Sequence, residues 1–339
     1  MRPLRVMVLM DESFIPPVSL EGVSEAEMLD WKTEYDVLTT LRQMGHHAEP
    51  LGVSDDLGVI RHALLERKPD ITFNLLEEFH GVGVFAAHVV SYLELMKQPY
   101  TGCNPRGLLL AHDKALAKRI FAFHRIQTPK FAVYTQGRRI RSPAKLSYPL
   151  LIKSVSEDAS LGITSKSLVD NERQLTDRVE SIHKELNTDA LAEEYIHGRE
   201  FYVGILGNQR LQTLPIWELV FRNLPSDVPN IATAKVKWDF ATQKELGIAT
   251  QEAADLDASE RNKIWKLCKR VYRALSLTGY ARMDLRWTDS GEVYVLEANP
   301  NPNLSFGEDL AESAAATGLK YSGLLQKIIN LGMRYKGHV

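Results

Sequence analysis

Apolar and polar positions alternate in blocks along the first hundred residues. The apolar runs LRVMVLM, HAEPLGV and DITFNLL predict strands. Ser24 and Glu27 form a capping-box pattern, so a helix is expected from there to about Met44, with further helices over 55–67 and 82–97. Regular alternation of strand and helix is typical of a parallel α/β unit. We therefore predict an N-terminal α/β domain over residues 1–104.

The rest of the chain follows a different order of elements. A helix is predicted over 106–124, followed by the strands FAVY, YPLLIKSV and GITSKSLV and the helix NERQLTDRVESIHKEL. The strands ALAEEYI, REFYVGILG and LQTLPIWELVF, a helix over 259–275 and a hairpin come next. This order predicts two α+β domains, a central one over 105–189 and a C-terminal one over 190–339.

The hairpin, GYARMDLRWTDSGEVYVLEAN, gathers charged residues on one face. Arg282, Asp284 and Arg286 alternate with apolar residues, as in a half-buried strand. A loop of two or four residues centred on Ser290 and Gly291 would put Asp284 opposite Glu297, and Arg282 opposite Asn299. Asp, Glu and Asn oxygens suit Mg²⁺, which also takes phosphate oxygens, so a magnesium–nucleotide site is predicted. The alternative is an edge hairpin whose charges are solvated.

A second group of residues is suited to a phosphate. Lys153 ends the apolar strand YPLLIK and precedes a loop of small residues, 156–162, whose N–H groups can approach an anion. Lys114 adds a cation on a helix. The alternative is that both lysines are solvated.

Composition limits the classes of function. The 339 residues carry a formal net charge of −2, which gives no general attraction to nucleic acid or to anionic membranes, and no apolar run is long enough to span a bilayer. The only cysteines, Cys103 and Cys268, are far apart in sequence, which favours reduced thiols and a cytoplasmic location.

Several sequence stretches, taken together, resemble the ATP-grasp superfamily, in particular its D-alanine–D-alanine ligase branch. The resemblance rests on PYTGCNP, HDKALAK, TPKFAVY, PLLIK, LAEEYIHGREFYVGILG, AKVKWD, GYARMDL and VLEANPNP, in this order. It implies an ATP-grasp fold, in which a Rossmann-like parallel α/β domain precedes two α+β domains that clasp ATP. A homodimer would also fit the family.

The resemblance implies a role for individual residues. ATP would be held by Lys114, Lys153, Ser160, Glu193, Tyr195, Glu200 and Lys237, with Tyr195 beside the base. Asp284, Glu297 and Asn299 would bind Mg²⁺, with two ions expected and Mn²⁺ as a substitute. Arg282, Lys237 and Lys153 would be catalytic. Because acyl phosphates hydrolyse, a closing loop is also expected, and the segment 227–240 is the candidate by its position in the chain. The implied reaction converts a carboxylate into an acyl phosphate, which an amine then attacks to form an amide.

The substrate loops depart from the family pattern. Asn303 replaces a glycine, and Glu308 and Asp309 stand where the family receives the acceptor's carboxylate, which they would repel. An amine or guanidinium partner recognised by Glu77, Glu78, Glu308 or Asp309 is therefore predicted, against the alternative that these acids are solvated. The leading prediction is an ATP-dependent carboxylate–amine ligase of altered specificity. A true D-alanine–D-alanine ligase and a phosphotransferase or non-catalytic nucleotide-binding protein remain alternatives.

Overall fold

The N-terminal part of the chain builds a three-stranded parallel sheet. The computed structural model describes residues 2–17, 19, 23–156, 163–223, 231 and 239–337. Strands β1 (Arg5–Asp11), β2 (His47–Val53) and β3 (Ile71–Asn74) are ordered β2-β1-β3, and both pairings are parallel. The helices around them are α1 (Glu25–Asp30), α2 (Lys32–Gln43), α3 (Leu57–Arg67) and α4 (Phe85–Leu95). The predicted α/β alternation is confirmed.

The helix predicted from residue 24 to 44 is interrupted. Its capping box is present, since Ser24 and Glu27 bond each other's backbone, but Trp31 leaves helical geometry and separates α1 from α2. Trp31 is buried and packs edge-on against Tyr35 at 5.8 Å. Packing of the indole accompanies the break, which residue periodicity alone could not indicate.

A four-stranded antiparallel sheet follows. Strands β4 (Phe131–Tyr134), β5 (Leu150–Ser154), β6 (Leu168–Val169) and β7 (Ala190–Glu194) are ordered β4-β7-β5-β6. Because β7 pairs with β4 and β5, this sheet crosses the domain boundary predicted at residue 189. The strand predicted for GITSKSLV is wrong over most of its described part, where Ser165–Ser167 form a 3₁₀ turn capped by Thr164.

Three helices belong to this part of the chain: α5 (Pro105–His112), α6 (Lys114–Phe123) and α7 (Glu172–Glu185). Helix α7 packs against the four-stranded sheet, whereas α5 and α6 pack against the core of the C-terminal part. The single helix predicted over 106–124 is in fact α5 and α6. The Asp113 side chain accepts a hydrogen bond from the Leu116 N–H and so starts a new helix.

The C-terminal part forms a five-stranded antiparallel sheet. Strands β8 (Arg199–Leu206), β9 (Gln212–Phe221), β10 (Ile248–Glu252), β11 (Tyr280–Trp287) and β12 (Val293–Pro300) are ordered β10-β9-β8-β11-β12. The remaining described helices are α8 (Phe240–Leu246), α9 (Ala258–Ala274), α10 (Asp309–Ala315) and α11 (Tyr321–Arg334). Strand β11 therefore lies inside the sheet, and only β12 of the hairpin is at its edge.

Two apolar clusters hold the sheets in place. One packs α9 against the five-stranded sheet through residues such as Ile264, Val271 and Met283. The other joins the N-terminal sheet to α11 and to Leu206 and Leu310 of the C-terminal part. Within the described ranges, no helix is long and apolar enough to cross a membrane.

Candidate active site

The hairpin has the predicted register at its polar end. Asp284 pairs with Glu297, and Arg282 pairs with Asn299. The predicted loop is wrong, however, because Trp287 pairs with Val293 and five residues connect the strands. If the pairing of Trp287 with Val293 continued along the strands without a shift, Glu297 would lie opposite Met283, whose side chain is in the core. A one-residue bulge at Leu296 shifts the pairing and brings Glu297 opposite Asp284.

Asp284 is buried, so the alternative of a solvated hairpin does not hold for this residue. Its exposed fraction is 3 %. Arg282 Nε and Nη2 donate to the two carboxylate oxygens of Asp284 at 2.8 and 2.9 Å. The guanidinium carbon lies 4.6 Å from the Tyr202 ring centre, and Nη1 lies 3.6 Å from the Asp309 carboxylate. Burial alone would lower the pKa of Arg282, but the carboxylates of Asp284 and Asp309 outweigh it and raise this pKa.

The donor atoms at this end of the hairpin fit a hard cation. Asp284, Glu297 and Asn299 offer carboxylate and amide oxygens, the ligands that Mg²⁺ prefers. Asn299 Nδ2 is buried and makes no hydrogen bond to the described residues, and a 180° turn of the amide would present Oδ1 there instead. No three His, Cys, Asp or Glu side chains of the described ranges converge on one point. Two carboxylates and an amide suit an ion that completes its shell with phosphate and water.

Glu193 binds two lysines inside the four-stranded sheet. Its Oε2 lies 2.8 Å from Lys118 Nζ, and its Oε1 lies 2.5 Å from Lys153 Nζ. All three side chains are almost completely buried. Burial opposes ionisation of Glu193, but the charges of Lys118 and Lys153 outweigh it and lower the pKa of this carboxyl group. At Lys118 burial outweighs the attraction of Glu193 and lowers the pKa of the ammonium group, so Glu193 is the group that stabilises this buried charge.

The two antiparallel sheets face each other across these charges. Burial alone would lower the pKa of Lys153, but Glu193, Glu297 and Asp284 raise it, so the lysine of one sheet interacts with the acids of the other. Thr128 provides a direct link, because its Oγ1 accepts from Lys118 Nζ at 2.7 Å and donates to the Val295 carbonyl of β12 at 2.8 Å. The predicted phosphate lysine thus lies within electrostatic reach of the predicted metal acids.

Glu200, predicted to meet the ribose, belongs to a second buried network. Its carboxylate accepts from Arg286 Nη2 at 2.7 Å and from the Tyr202 hydroxyl at 2.9 Å. The Arg286 guanidinium also lies 5.8 Å from the ring centre of Tyr195, the residue predicted beside the base. Charge-assisted bonds of this kind fix the carboxylate in one orientation.

Lys114 begins α6 and is buried. Its backbone N–H donates to the Val155 carbonyl at 3.2 Å, which holds the start of the helix next to the end of β5 and Lys153. Lys237, Ser160 and most of the predicted lid lie outside the described residues.

The predicted substrate residues are not equivalent. Asn303 Oδ1 accepts from Thr33 Oγ1 at 3.0 Å and from the Ser305 N–H at 2.7 Å. Asp309 already faces the protein's own Arg282. Glu78 and Glu308 are exposed. Glu77 is exposed as well, and it lines a cleft near the end of the hairpin.

Sequence reasoning missed three residues of this region. Lys118 had a detectable signal, because it lies four residues after Lys114 and shares its helical face. Arg286 lay on the predicted polar face but was given no role. Glu34, a buried acid that lines the same cleft as Glu77, left no signal in the sequence.

Comparison with known proteins agrees with this geometry. A family model described as the D-Ala–D-Ala ligase C-terminus matches residues 120–330, which include the polar face of the hairpin, the Glu200 network and, except for Lys118, the Glu193 network. The chain belongs to the D-Ala–D-Ala ligase family. It is an ATP-grasp protein, and its activity is that of an ATP-dependent ligase that forms a carbon–nitrogen bond.

Individual relatives cover nearly the whole of this D-Ala–D-Ala ligase family member. It is 33 % identical over 307 residues to the uncharacterized protein y4sG of Sinorhizobium fredii, covering 88 % of this chain and 86 % of the relative. It is 26 % identical to a D-alanine–D-alanine ligase of Bacillus anthracis, covering 94 % and 97 %. A crystal structure of the B. anthracis ligase complexed with ATP superposes with a TM-score of 0.75 at 24 % identity, covering 98 % of each chain. This last likeness shows the ATP-grasp fold.

Proposed function

We propose that this ligase binds ATP with Mg²⁺, converts a substrate carboxylate into an acyl phosphate and joins it to an amine other than D-alanine. The proposal is supported by the pairing of Asp284 with Glu297, by their electrostatic interaction with Lys153, and by the hydrogen bonds through Thr128 that join Lys118 to β12. Opposed carboxylates and a buried lysine are suited to phosphate and a divalent cation together. The division into three domains, predicted over 1–104, 105–189 and 190–339, remains part of this proposal, with β7 assigned to the central domain because it pairs with β4 and β5.

The residues divide into groups by their proposed roles. Lys114 and Lys153 hold phosphate oxygens, with Lys237 and Ser160 added from the family resemblance. Glu193, Tyr195 and Glu200 receive the nucleoside. Asp284, Glu297 and Asn299 hold Mg²⁺, which when bound neutralises phosphate charge; two ions are proposed, with Mn²⁺ as a substitute.

The catalytic role of the chain is positioning and charge stabilisation. Phosphoryl transfer places negative charge on the transferred group, and Lys153, Lys237 and Arg282 supply positive charge. Removing one such donor commonly costs about 10²–10³ in rate. Arg282 is held by Asp284 through two hydrogen bonds, so its guanidinium is oriented before substrate arrives.

The acids near α10 support an altered acceptor. Asp309 and the exposed Glu308 would repel an acceptor carboxylate approaching this side of the site. Arg282 balances Asp309 only in part, because it is also bound to Asp284. An acceptor without a carboxylate at this point, or one that carries a positive charge, is favoured over D-alanine.

Trapping with hydroxylamine tests the proposal. The protein is incubated with ATP, Mg²⁺, hydroxylamine and a pool of carboxylic and amino acids, and hydroxamates are identified by mass spectrometry. We expect a hydroxamate that requires ATP, because hydroxylamine intercepts an acyl phosphate. The variant Asp284→Asn should lose it, whereas Glu292→Gln, at an exposed position of the same hairpin, should keep it.

The alternative functions predict different results in the hydroxylamine assay. ADP without any hydroxamate would indicate a phosphotransferase, and neither product would indicate a nucleotide-binding protein; both contradict the proposal. Efficient phosphate release with D-alanine as the sole substrate would contradict the altered specificity and leave a D-alanine–D-alanine ligase.

A further inference from the structure

A small cleft adjoins the polar end of the hairpin. Its walls come from α2, from the segment after β3, from the first residue of β11 and from the loop after β12, and include Glu34, Glu77, Tyr280 and Asn303. Tyr280 precedes Arg282 by two residues, and Asn301 follows Asn299 by two, so the cleft lies next to the proposed catalytic groups. Its volume is about 20 Å³, enough for one water-sized group.

Glu34 is unusual among the residues of this cleft. It is 6 % exposed, and among the described residues no side chain and no other residue's N–H donates to its carboxylate. Within the same ranges, no lysine, arginine or histidine lies within ion-pair distance of it. The charge that acts on it is the like charge of Glu77, which also acts on Tyr280. A buried acid is ordinarily paired with a cation or hydrogen-bonded to other residues, whereas the donor to Glu34 within the described residues is its own backbone N–H.

We propose that Glu34 and Glu77 form a subsite for a primary ammonium group carried by a substrate of this ligase. An ammonium group is close to water in size and therefore matches the volume of the cleft. It would add charged hydrogen-bond donors to the Glu34 carboxylate and reduce the repulsion between the two acids. This inference rests on the proposed function for the identity of the reaction, but the cleft itself can be tested without turnover.

Binding of methylammonium chloride measures the subsite directly. Thermal unfolding is followed with methylammonium, with tetramethylammonium and with sodium chloride at equal ionic strength, without nucleotide. In the wild type we expect a saturable rise in Tm of about 2 °C or more with methylammonium alone, because a ligand that binds only the folded state stabilises it. Glu34→Gln should abolish the rise, and Glu66→Gln, at an exposed position of α3, should retain it.

Two results would overturn the subsite. One is a wild-type protein that responds to methylammonium no more than to sodium chloride, which would make Glu34 simply a buried, protonated acid. The other is an equal response in Glu34→Gln.

Turnover then links the cleft to substrate choice. In the hydroxamate assay we expect each accepted amino acid to have a kcat/KM about tenfold or more above that of its analogue without the amino group. Glu34→Gln should reduce this ratio to about one, and an unchanged ratio would contradict the proposal. If no hydroxamate forms with any compound, the proposed function fails, and the methylammonium titration still decides the subsite.

Discussion

Glu193 holds two lysines that would otherwise repel each other inside the protein. Replacing it by Gln would leave Lys118 and Lys153 buried without a counter-charge. Breaking a buried ion pair from one side commonly costs about 3–5 kcal/mol, so Glu193→Gln should destabilise the fold by roughly that amount in urea unfolding. The neighbouring Glu194 is the matched control, because its partner Lys130 is mostly exposed. Equal losses for Glu193→Gln and Glu194→Gln would contradict the assigned network.

Glu34 should make stability depend on pH in a defined direction. Burial chiefly, with Glu77 adding, raises the pKa of Glu34 from 4.5 to about 7. Between these values the folded state keeps a proton that the unfolded state has lost, so stability falls as pH rises through this window. The Glu34→Gln variant has no carboxyl group to ionise at this position, so it does not lose stability in this way as pH rises. Its stability relative to wild type should therefore rise between pH 5 and pH 8, by roughly 3 kcal/mol, in urea unfolding without added amine. A difference that does not change with pH would show that Glu34 ionises normally.

At the scale of elements, the hairpin shows which features a period-two sequence pattern can predict and which it cannot. Alternation along β11 and β12, together with an assumed turn at Ser290 and Gly291, predicted that Asp284 faces Glu297, and the structure confirms this pairing. The loop length was wrong, and the bulge at Leu296 compensates for it, a local feature that period-two patterning does not encode. In the same way, the breaks at Trp31 and Asp113 depend on tertiary packing and on a cap inside an otherwise helical pattern.

The loop after β12 is anchored by a glycine that can be tested. Gly102 has a φ of +95°, and a Cβ there would lie 2.5 Å from Asn301 Oδ1, the atom that accepts a hydrogen bond from the Cys103 N–H. Gly102→Ala should displace Asn301 and with it the end of the hairpin, and reduce ATP-dependent hydroxamate formation. Gly137 also has a positive φ, but no atom beyond its chain neighbours lies within 4 Å of a Cβ added there. The Gly137→Ala variant therefore tests the effect of backbone strain alone. Comparable loss of activity in both variants would contradict the anchoring role.

At the scale of the whole molecule, the site depends on how two sheets meet. Lys118 and Glu193 are 75 residues apart in sequence. Thr128, which precedes β4, donates a hydrogen bond to the Val295 carbonyl of β12 in the five-stranded sheet. The sequence predicted Lys153 and the acids of the hairpin separately, and only the family resemblance placed them in one site. Glu34 could not be predicted, because its burial results from packing between α2, the segment after β3 and the loop after β12.

Nucleotide binding with and without magnesium tests the central claim most directly. The probe is a non-hydrolysable ATP analogue, titrated by calorimetry into wild type, Glu297→Gln and the exposed-site control Glu292→Gln. We predict that Mg²⁺ strengthens binding by about tenfold or more in wild type and in the control, and that Glu297→Gln loses this gain. Equal affinity with and without Mg²⁺ in the wild type, or a Glu297→Gln variant that behaves like wild type, would contradict a metal–nucleotide site on the hairpin.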